Sequence, residues 1–317
     1  MISVTPLGAG QEVGRSCMVL RISHRTFLLD VGMHPAYLDD NRFPDFSCMG
    51  VSPSSGIDCV LVSHFHLDHV GALLHLTDTF GYSGPIYMSH PTKALCPSLL
   101  EDYNKVVTEQ QAGGISKSQV QQSIANAMKG VIGIGCRQRV CPFEDTAITA
   151  YYAGHVLGAV MFHIEVGSLS VFYTGDFNTQ SQHHLGVADV PNLRVNASCP
   201  PLRSRLLTLL APVQPSVTIC ESTFGSHLHD EHQDMAIEAA ALAAIHECVT
   251  SGGKVLIPVF AVGRAQEIMY IRCNPIQLLF AFLLGLHLHR HPVQVRYPSL
   301  LFTMQHQRAD ISCWTDD

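Results

Sequence analysis

Short apolar runs bounded by turn-forming residues recur along most of this chain and alternate with longer amphipathic stretches. Runs of about four to eight residues are typical of β-strands, whereas apolar positions three and four residues apart are typical of helices. Strands are predicted at residues 2–7, 17–22, 26–30, 59–62, 85–89, 147–152, 168–173, 216–220 and 255–260. Helices are predicted at residues 71–80, 91–107, 116–131, 231–250 and from residue 263 onward.

A cluster of potential metal ligands lies at one predicted junction between a strand and a helix. Residues 63–71 read Ser-His-Phe-His-Leu-Asp-His-Val-Gly, and the four ligand-type residues in this segment are His64, His66, Asp68 and His69. Imidazole nitrogens and carboxylates at this density suit zinc or another first-row divalent ion.

The spacing of these four residues requires a turn. In an extended segment, alternate side chains point to opposite sides, so only a turn brings His64 and His66 onto one ion. Asp68 and His69 would then face elsewhere and could hold a second ion. The alternative is an exposed polar loop with chance histidines, because the chain contains 19 of them. Four ligand-type residues at one junction favour the metal site.

Two further ligand candidates follow predicted strands elsewhere in the chain. His155 lies in a glycine-flanked turn after strand 147–152, and Asp176 follows strand 168–173. Strands that end in His or Asp suggest one sheet edge that presents these groups together, so we expect both residues to join the cluster at residues 64–69.

Three polar residues at the ends of predicted elements are candidates for supporting roles. Asp30 ends strand 26–30, where it could either orient a metal-bound histidine or merely form a turn. Glu221 repeats the pattern of an apolar strand followed by a carboxylate. Arg264, with a glycine before it at a predicted helix start, could meet a phosphate or be an ordinary exposed residue.

Composition narrows the class of protein. The chain of 317 residues is 47% apolar and 14% charged, which is typical of a globular protein and long enough for two domains. The formal net charge of −7 gives no electrostatic footprint for nucleic acid, so any such substrate must be held by a local patch or by partner proteins. Eleven cysteines without C-x-x-C pairs fit a reduced intracellular protein.

Two segments could suggest other classes of protein. The glycine-rich residues 8–14 are followed by a predicted strand rather than a helix, so a dinucleotide-binding loop is excluded and a tight turn near the site is expected. The longest apolar run, residues 276–288, is shorter than the ~20 residues of a membrane span. Residues 1–4 lead directly into a strand, so no secretory leader and no membrane association are expected.

Six stretches of the sequence together resemble one family, the β-CASP branch of the metallo-β-lactamase fold, whose members are RNA-processing nucleases. The stretches are residues 6–16, 63–73, 152–159, 173–177, 221–225 and 254–267. Within this branch, residues 42–46 and 84–93 are most similar to the endonucleases of the Integrator complex, and next to those of the cleavage and polyadenylation specificity factor. The resemblance extends over about residues 2–271.

The resemblance implies an α/β fold, an αββα sandwich into which a β-CASP domain is inserted. It implies two zinc ions, one held by His64, His66 and His155 and the other by Asp68 and His69, with Asp176 bridging both. It also implies that Glu221 partners a general-acid histidine. The catalytic residues would then be Asp68, Asp176 and Glu221.

The implied activity is hydrolysis of phosphodiester bonds by an RNA endonuclease, in 3′-end processing or termination of nuclear RNA such as small nuclear RNA. The implied partners are RNA, an inactive β-CASP relative and other subunits of a nuclear RNA-processing complex. The implied location is the nucleus, with the cytoplasm as an open alternative.

By the same resemblance, residues 1–225 form the metallo-β-lactamase domain and residues 226–271 begin the β-CASP domain. Residues 192–215 read as an extra loop, and residues 272–317 form a tail without family motifs. The family's remaining motifs are not found in this tail. We therefore expect a sandwich that is incomplete in its C-terminal part, a second zinc site without its last ligand, and impaired activity.

Two alternatives from other classes stay open. The chain could be a non-catalytic binding fragment of the same complex, although intact candidate ligands argue against a long-standing loss of chemistry. It could instead be a small-molecule metallohydrolase on the same fold, such as a thioester or lactam hydrolase, although residues 254–267 are typical of the nucleic-acid branch.

Overall fold

The computed structural model describes residues 1–110, 116–191, 214–226, 231–260 and 262–273. The chain divides into two compact units, Met1–Gly225 and Ser226–Asp317. Residues 192–213 of the predicted extra loop and residues 274–317 of the predicted tail lie outside the described part. None of the helices in the part of the chain that the structure describes is long and apolar enough to cross a membrane.

The first sheet of unit 1 contains six strands in chain order. They are β1 (Ile2–Gly8), β2 (Cys17–Ile22), β3 (Arg25–Leu29), β4 (Cys59–Leu61), β5 (Ile86–Ser89) and β6 (Val131–Ile134). Strands β1 to β3 pair antiparallel, whereas β3 to β6 pair parallel. The residues that follow β3, β4 and β5 therefore leave the sheet at the same edge.

The second sheet contains five strands. They are β7 (Arg139–Phe143), β8 (Thr146–Tyr152), β9 (Val160–Val166), β10 (Leu169–Tyr173) and β11 (Val217–Ile219), and their order in space is β11-β10-β9-β8-β7. All neighbours pair antiparallel except β10 and β11, which are parallel. The strands β6, β7 and β9 were not predicted from the sequence.

The two sheets pack face to face, and helices cover the outer face of the first sheet. Leu29 and Leu61 share one buried cluster with Phe162 of the second sheet. Leu28 and Val60, the neighbouring residues on the opposite face, belong to a second cluster with helical residues. Burial on both faces explains why the central strands read as continuous apolar runs.

Unit 1 has four α-helices in its described residues. They are α1 (Pro53–Gly56), α2 (Leu67–Val70), α3 (His90–Gln110) and α4 (Lys117–Lys129). Short 3-10 helices lie at Asp40–Arg42 and Phe46–Met49, between β3 and α1. Ser116 caps α4 in a reciprocal pair of hydrogen bonds with Gln119, which explains where this helix begins.

The helical segment after the predicted metal turn differs from the prediction. It begins at Leu67 as α2, so Asp68 and His69 are helical, and it continues as a π-helix at His75–Thr79. The predicted turn is therefore shorter, and the ligand-type residues of its second half lie on the first helical turn.

Unit 2 contains α5 (Glu231–Thr250) and α6 (Arg264–Cys273), both of which were predicted. The predicted strand 255–260 is wrong, because the structure shows no strand there. Leu256 and Phe260 are 71% and 84% exposed, and Pro258 has no N–H to donate. An alternating pattern that finds no partner strand among the described residues does not form a sheet.

Candidate metal centre

The predicted ligands converge at the carboxyl ends of strands from both sheets. His64 and His66 follow β4 of the first sheet, whereas His155 and Asp176 follow β8 and β10 of the second. The prediction of a single sheet edge is therefore wrong. The site lies where the edges of two packed sheets meet, so its ligands come from both layers of the sandwich.

Three histidines form a first ligand cluster. His64 Nε2 lies 3.0 Å from His66 Nδ1, which in turn lies 3.3 Å from His155 Nε2. Two nitrogens on a tetrahedral zinc ion, each about 2.0–2.1 Å from the metal, lie about 3.3 Å apart. The spacing of these nitrogens therefore fits a shared divalent ion.

A second ligand cluster lies beside the first. His69 Nε2 is 3.6 Å from Asp68 Oδ2 and 3.4 Å from Asp176 Oδ1. The other carboxylate oxygen of Asp176, Oδ2, lies 3.6 Å from His155 Nε2. The two oxygens of Asp176 thus face different clusters, as a bridging carboxylate would.

Asp30 lies beneath both clusters and is fully buried. Its carboxylate accepts hydrogen bonds from Ser63 N (2.6 Å), Ser63 Oγ (2.8 Å) and Tyr173 OH (2.6 Å), and it lies 2.8 Å from His69 Nδ1. A carboxylate can only accept, so His69 donates through Nδ1 and presents Nε2 to the cluster. Asp30 also adopts φ +57, a left-handed backbone conformation that is uncommon for a residue with a side chain.

Ser63 fixes in the same way which ring nitrogen of His64 carries the hydrogen. The Ser63 hydroxyl gives its only hydrogen to Asp30, so the contact of 2.9 Å between Ser63 Oγ and His64 Nδ1 must be donated by the histidine. His64 Nε2 is then the nitrogen with a free lone pair, and this nitrogen faces His66. Neither Ser63 nor Tyr173 was predicted as a site residue.

The electrostatic environment of the buried histidines suits metal binding. Burial, together with the neighbouring histidines, holds the pKa of His64 well below its usual value, so its imidazole is neutral. For His69, burial opposes the charge, but the carboxylates of Asp30 and Asp176 outweigh it and raise the pKa. A metal ion that binds His69 must therefore displace a proton.

Asp176 carries its negative charge despite its burial. Burial alone would raise the pKa of this carboxyl group, but the hydrogen bond from His69 and the nearby histidine charge outweigh it and lower the pKa. Asp176 is thus an ionised ligand candidate between the two clusters.

Backbone hydrogen bonds fix the helical turn that carries Asp68 and His69. Val31 N donates to His69 O at 2.8 Å, and Ser16 N donates to Asp68 O at 2.8 Å. Gly32 N donates to Ser16 O, also at 2.8 Å. The loop after β1 therefore lies beside the site, as the sequence predicted, and the segment after β3 supports the site from below.

Glu221 lies outside the two ligand clusters. Glu221 Oε1 accepts a hydrogen bond from Phe177 N at 3.0 Å, next to Asp176 in the chain, and Glu221 N donates to Thr174 Oγ1 at 3.2 Å. Glu221 therefore lies against the segment that carries Asp176. Arg264 is exposed at the first residue of α6 in unit 2.

Named relatives are similar to most of this chain. Integrator complex subunit 11 of Gallus gallus is 46% identical over 269 residues, which is 84% of this chain and 41% of that protein. Cleavage and polyadenylation specificity factor subunit 3-II of Arabidopsis thaliana is 42% identical, over 83% of this chain and 39% of that protein. Endoribonuclease ysh1 of Schizosaccharomyces pombe is 37% identical, over 84% of this chain and 31% of that protein.

This chain spans about two-fifths or less of the length of these relatives. Residues 19–200 match the family model of the metallo-β-lactamase superfamily domain. This match covers more than half of the chain and includes the segments that carry both ligand clusters. The predicted α/β metallo-β-lactamase fold is thus confirmed, and the chain belongs to the metallo-β-lactamase superfamily.

Proposed function

We propose that this protein is a zinc-dependent RNA endonuclease with a dinuclear metal centre. His64, His66 and His155 hold the first ion, Asp68 and His69 hold the second, and Asp176 bridges them. The observation that carries this proposal is the orientation of Asp176, whose two oxygens face His69 and His155 at 3.4 and 3.6 Å. Nitrogen and carboxylate donors at these distances support zinc.

Residues next to the proposed ligands hold them in the orientation that metal binding needs. Zinc, when bound, supplies Lewis-acid activation of a water molecule and neutralises charge on phosphoryl oxygens. Asp30 keeps the His69 ring in the orientation and tautomer that a ligand needs, and Ser63 does the same for His64. Glu221 orients the segment after Asp176 through its hydrogen bond with Phe177 N.

RNA is the substrate that the relatives support. Their names include an endoribonuclease, a subunit of a cleavage and polyadenylation factor and a subunit of the Integrator complex. We extend this to cleavage of nuclear RNA, such as small nuclear RNA, during 3′-end processing, with an inactive β-CASP relative and other complex subunits as partners. The net charge of −7 supports a role for partners in holding RNA.

The domain assignment follows the same proposal. Residues 1–225 form the metallo-β-lactamase domain, and residues 226–271 begin a β-CASP domain. Arg264, exposed at the N-terminal end of the ten-residue α6, contacts a phosphate of the RNA in this proposal.

Cleavage of RNA tests the proposed activity. We expect the purified chain with zinc to cut an end-labelled, single-stranded RNA internally at the impaired rate that its sequence predicts, and a chelator to stop it. Asp176→Asn removes the charge of the bridging carboxylate while keeping its shape, so the rate should fall by more than about 100-fold. Product length on a denaturing gel distinguishes internal cuts from end trimming.

Asp145→Asn is the matched control for this assay. Asp145 is also paired with a cation, Arg25, but it lies in the turn between β7 and β8, away from the ligand clusters. Its variant should cleave RNA at the wild-type rate. Turnover of a chromogenic lactam or a thioester without RNA cleavage would contradict the proposal, as would full RNA cleavage by Asp176→Asn.

A further inference from the structure

The loop that carries His155 is shaped by two glycines and closed by its own backbone. Ala153 N donates to Ala159 O at 2.9 Å, and Ala159 N donates to Val156 O at 2.9 Å. Gly154 and Gly158 adopt φ +70 and +82, values in the left-handed region that favours glycine. This loop belongs to the second sheet, whereas His64 and His66 belong to the first.

One backbone hydrogen bond ties the base of this loop to the first sheet. Val160 N, at the start of β9, donates to Ser63 O at 2.9 Å. This contact fixes where β9 begins, next to the residue that precedes His64. It does not by itself fix residues 154–158. Asn178 N, which donates to Ala153 O at 2.8 Å, holds the start of the loop, so the end at Gly158 needs a contact of its own.

Two buried hydroxyl groups supply this contact at Gly158. Ser89 Oγ donates to Gly158 O at 2.5 Å, and Thr92 Oγ1 lies 3.2 Å from the same carbonyl oxygen. Ser89 Oγ also accepts from Thr92 N at 3.2 Å, which fixes the serine hydroxyl at the start of α3. Ser89 is 3% exposed and Thr92 is 0% exposed, so loss of either hydroxyl group removes a buried hydrogen bond to the Gly158 carbonyl.

Close packing strengthens this attachment. A Cβ atom at Gly158 would lie 2.6 Å from Pro91 Cβ and 2.8 Å from Ser89 Oγ. The backbone of the loop therefore lies directly against the junction between β5 and α3, where no side chain fits. We call the contacts of Ser89 and Thr92 with the Gly158 carbonyl the hydroxyl clamp.

We propose that Ser89 and Thr92 are positioning residues for the first metal ion. By holding Gly158, the hydroxyl clamp keeps His155 Nε2 at 3.3 Å from His66 Nδ1 and 3.6 Å from Asp176 Oδ2. This inference rests on the proposed function, because it takes His155 as a ligand. The clamp acts on the first ion selectively, since Asp68 and His69 are held by Ser16 and Asp30 instead.

The experiment compares variants that keep or remove one hydroxyl group. Thr92→Val keeps the shape of the side chain without its hydroxyl, Thr92→Ser keeps the hydroxyl, and Ser89→Ala removes the shorter contact. Apoprotein is titrated with Zn²⁺ against a chelator and with Co²⁺ by visible absorption. Thr92→Val and Ser89→Ala should lower the affinity for the first ion by about 10- to 100-fold, whereas Thr92→Ser should retain the wild-type affinity.

Hydrogen–deuterium exchange of the metal-free protein supplies a second readout. Amides of residues 153–159 should exchange faster in Thr92→Val and Ser89→Ala, while amides of 67–70 should not change. Thr146→Val is the control: Thr146 is also a buried threonine (2% exposed), at the end of β8 remote from His155. It should lower thermal stability to a similar degree without changing metal affinity.

The outcomes separate the clamp from the proposed function. If wild-type protein binds metal and the two hydroxyl-removing variants bind it equally well, the clamp is overturned and the metal centre stands. If the wild type binds no metal, both are overturned. If Ser89→Ala does not fold, the metal affinity of the isosteric Thr92→Val tests the clamp alone. The clamp is also overturned if Thr146→Val weakens metal binding as much as Thr92→Val does.

Discussion

Replacing Asp30 with alanine is expected to lower the free energy of unfolding of the metal-free protein by about 3–5 kcal/mol. The substitution removes the acceptor for Ser63, His69 and Tyr173 at once, all inside a fully buried pocket. Burial and the Asp30 carboxylate raise the pKa of Tyr173 well above its usual value, so this hydroxyl stays protonated and would be left without its partner. His69 would remain as a buried charge without its main counter-ion.

Urea unfolding followed by circular dichroism, with chelator present, measures this effect without a contribution from metal. Asp58→Ala is the matched control, because Asp58 accepts from Thr26 N at 2.7 Å and pairs with Arg25 in the same sheet but is half-buried. We expect Asp58→Ala to cost about 1 kcal/mol. A cost for Asp30→Ala no larger than that of the control would show that Asp30 does not hold the site together.

Gly32→Ala is expected to destabilise the protein by about 3 kcal/mol or more and to displace Asp68. A Cβ atom at Gly32 would lie 1.6 Å from Asp68 O and 2.7 Å from Ser16 N. Both neighbours are backbone atoms joined by a hydrogen bond, so neither can rotate away as a side chain would. The helical turn that presents the second ligand cluster must move instead.

The midpoint of urea unfolding and the affinity for the second zinc ion measure this change. We expect both to fall in Gly32→Ala, whereas the affinity for the first zinc ion should stay closer to that of the wild type. Gly186→Ala provides the control, because a Cβ atom there meets nothing within 4 Å. Wild-type stability of Gly32→Ala would mean that the backbone around Asp68 is far less tightly packed than the structure indicates.

Most of the residues in the two ligand clusters could be selected from the sequence because their signal is local. His64, His66, Asp68 and His69 are close in the chain, and the junction between β4 and α2 brings them together with little help from distant residues. The resemblance to a known family then selected His155 from among 19 histidines. The structure places all of these side chains in the two ligand clusters.

The arrangement of the site across two sheets could not be predicted. Local periodicity shows that a segment forms a strand, but strand pairing depends on residues far apart in the chain. For the same reason the contacts of Asp30 with Tyr173, and of Ser89 with Gly158, left no signal in the sequence. Each of these contacts joins the first sheet to the second.

The errors in strand prediction have separate physical reasons. β9 is a continuous buried run that periodicity alone does not distinguish from a buried helix, and β7 is an edge strand that contains Pro142. β6 has only four residues and follows α4 directly, so the predicted helix was extended into it. The false strand 255–260 shows the opposite error, a strand-like pattern without a pairing partner among the described residues.

The amount of zinc per chain tests the dinuclear centre most directly. Native mass spectrometry of purified protein, at increasing zinc concentration, counts the ions in the wild type and in Asp176→Ala. We predict two zinc ions in the wild type, the second bound more weakly because its cluster offers one imidazole and two carboxylates among the described residues. Asp176→Ala should hold one ion or none; two ions in that variant, or a single ion in the wild type, would contradict a centre bridged by Asp176.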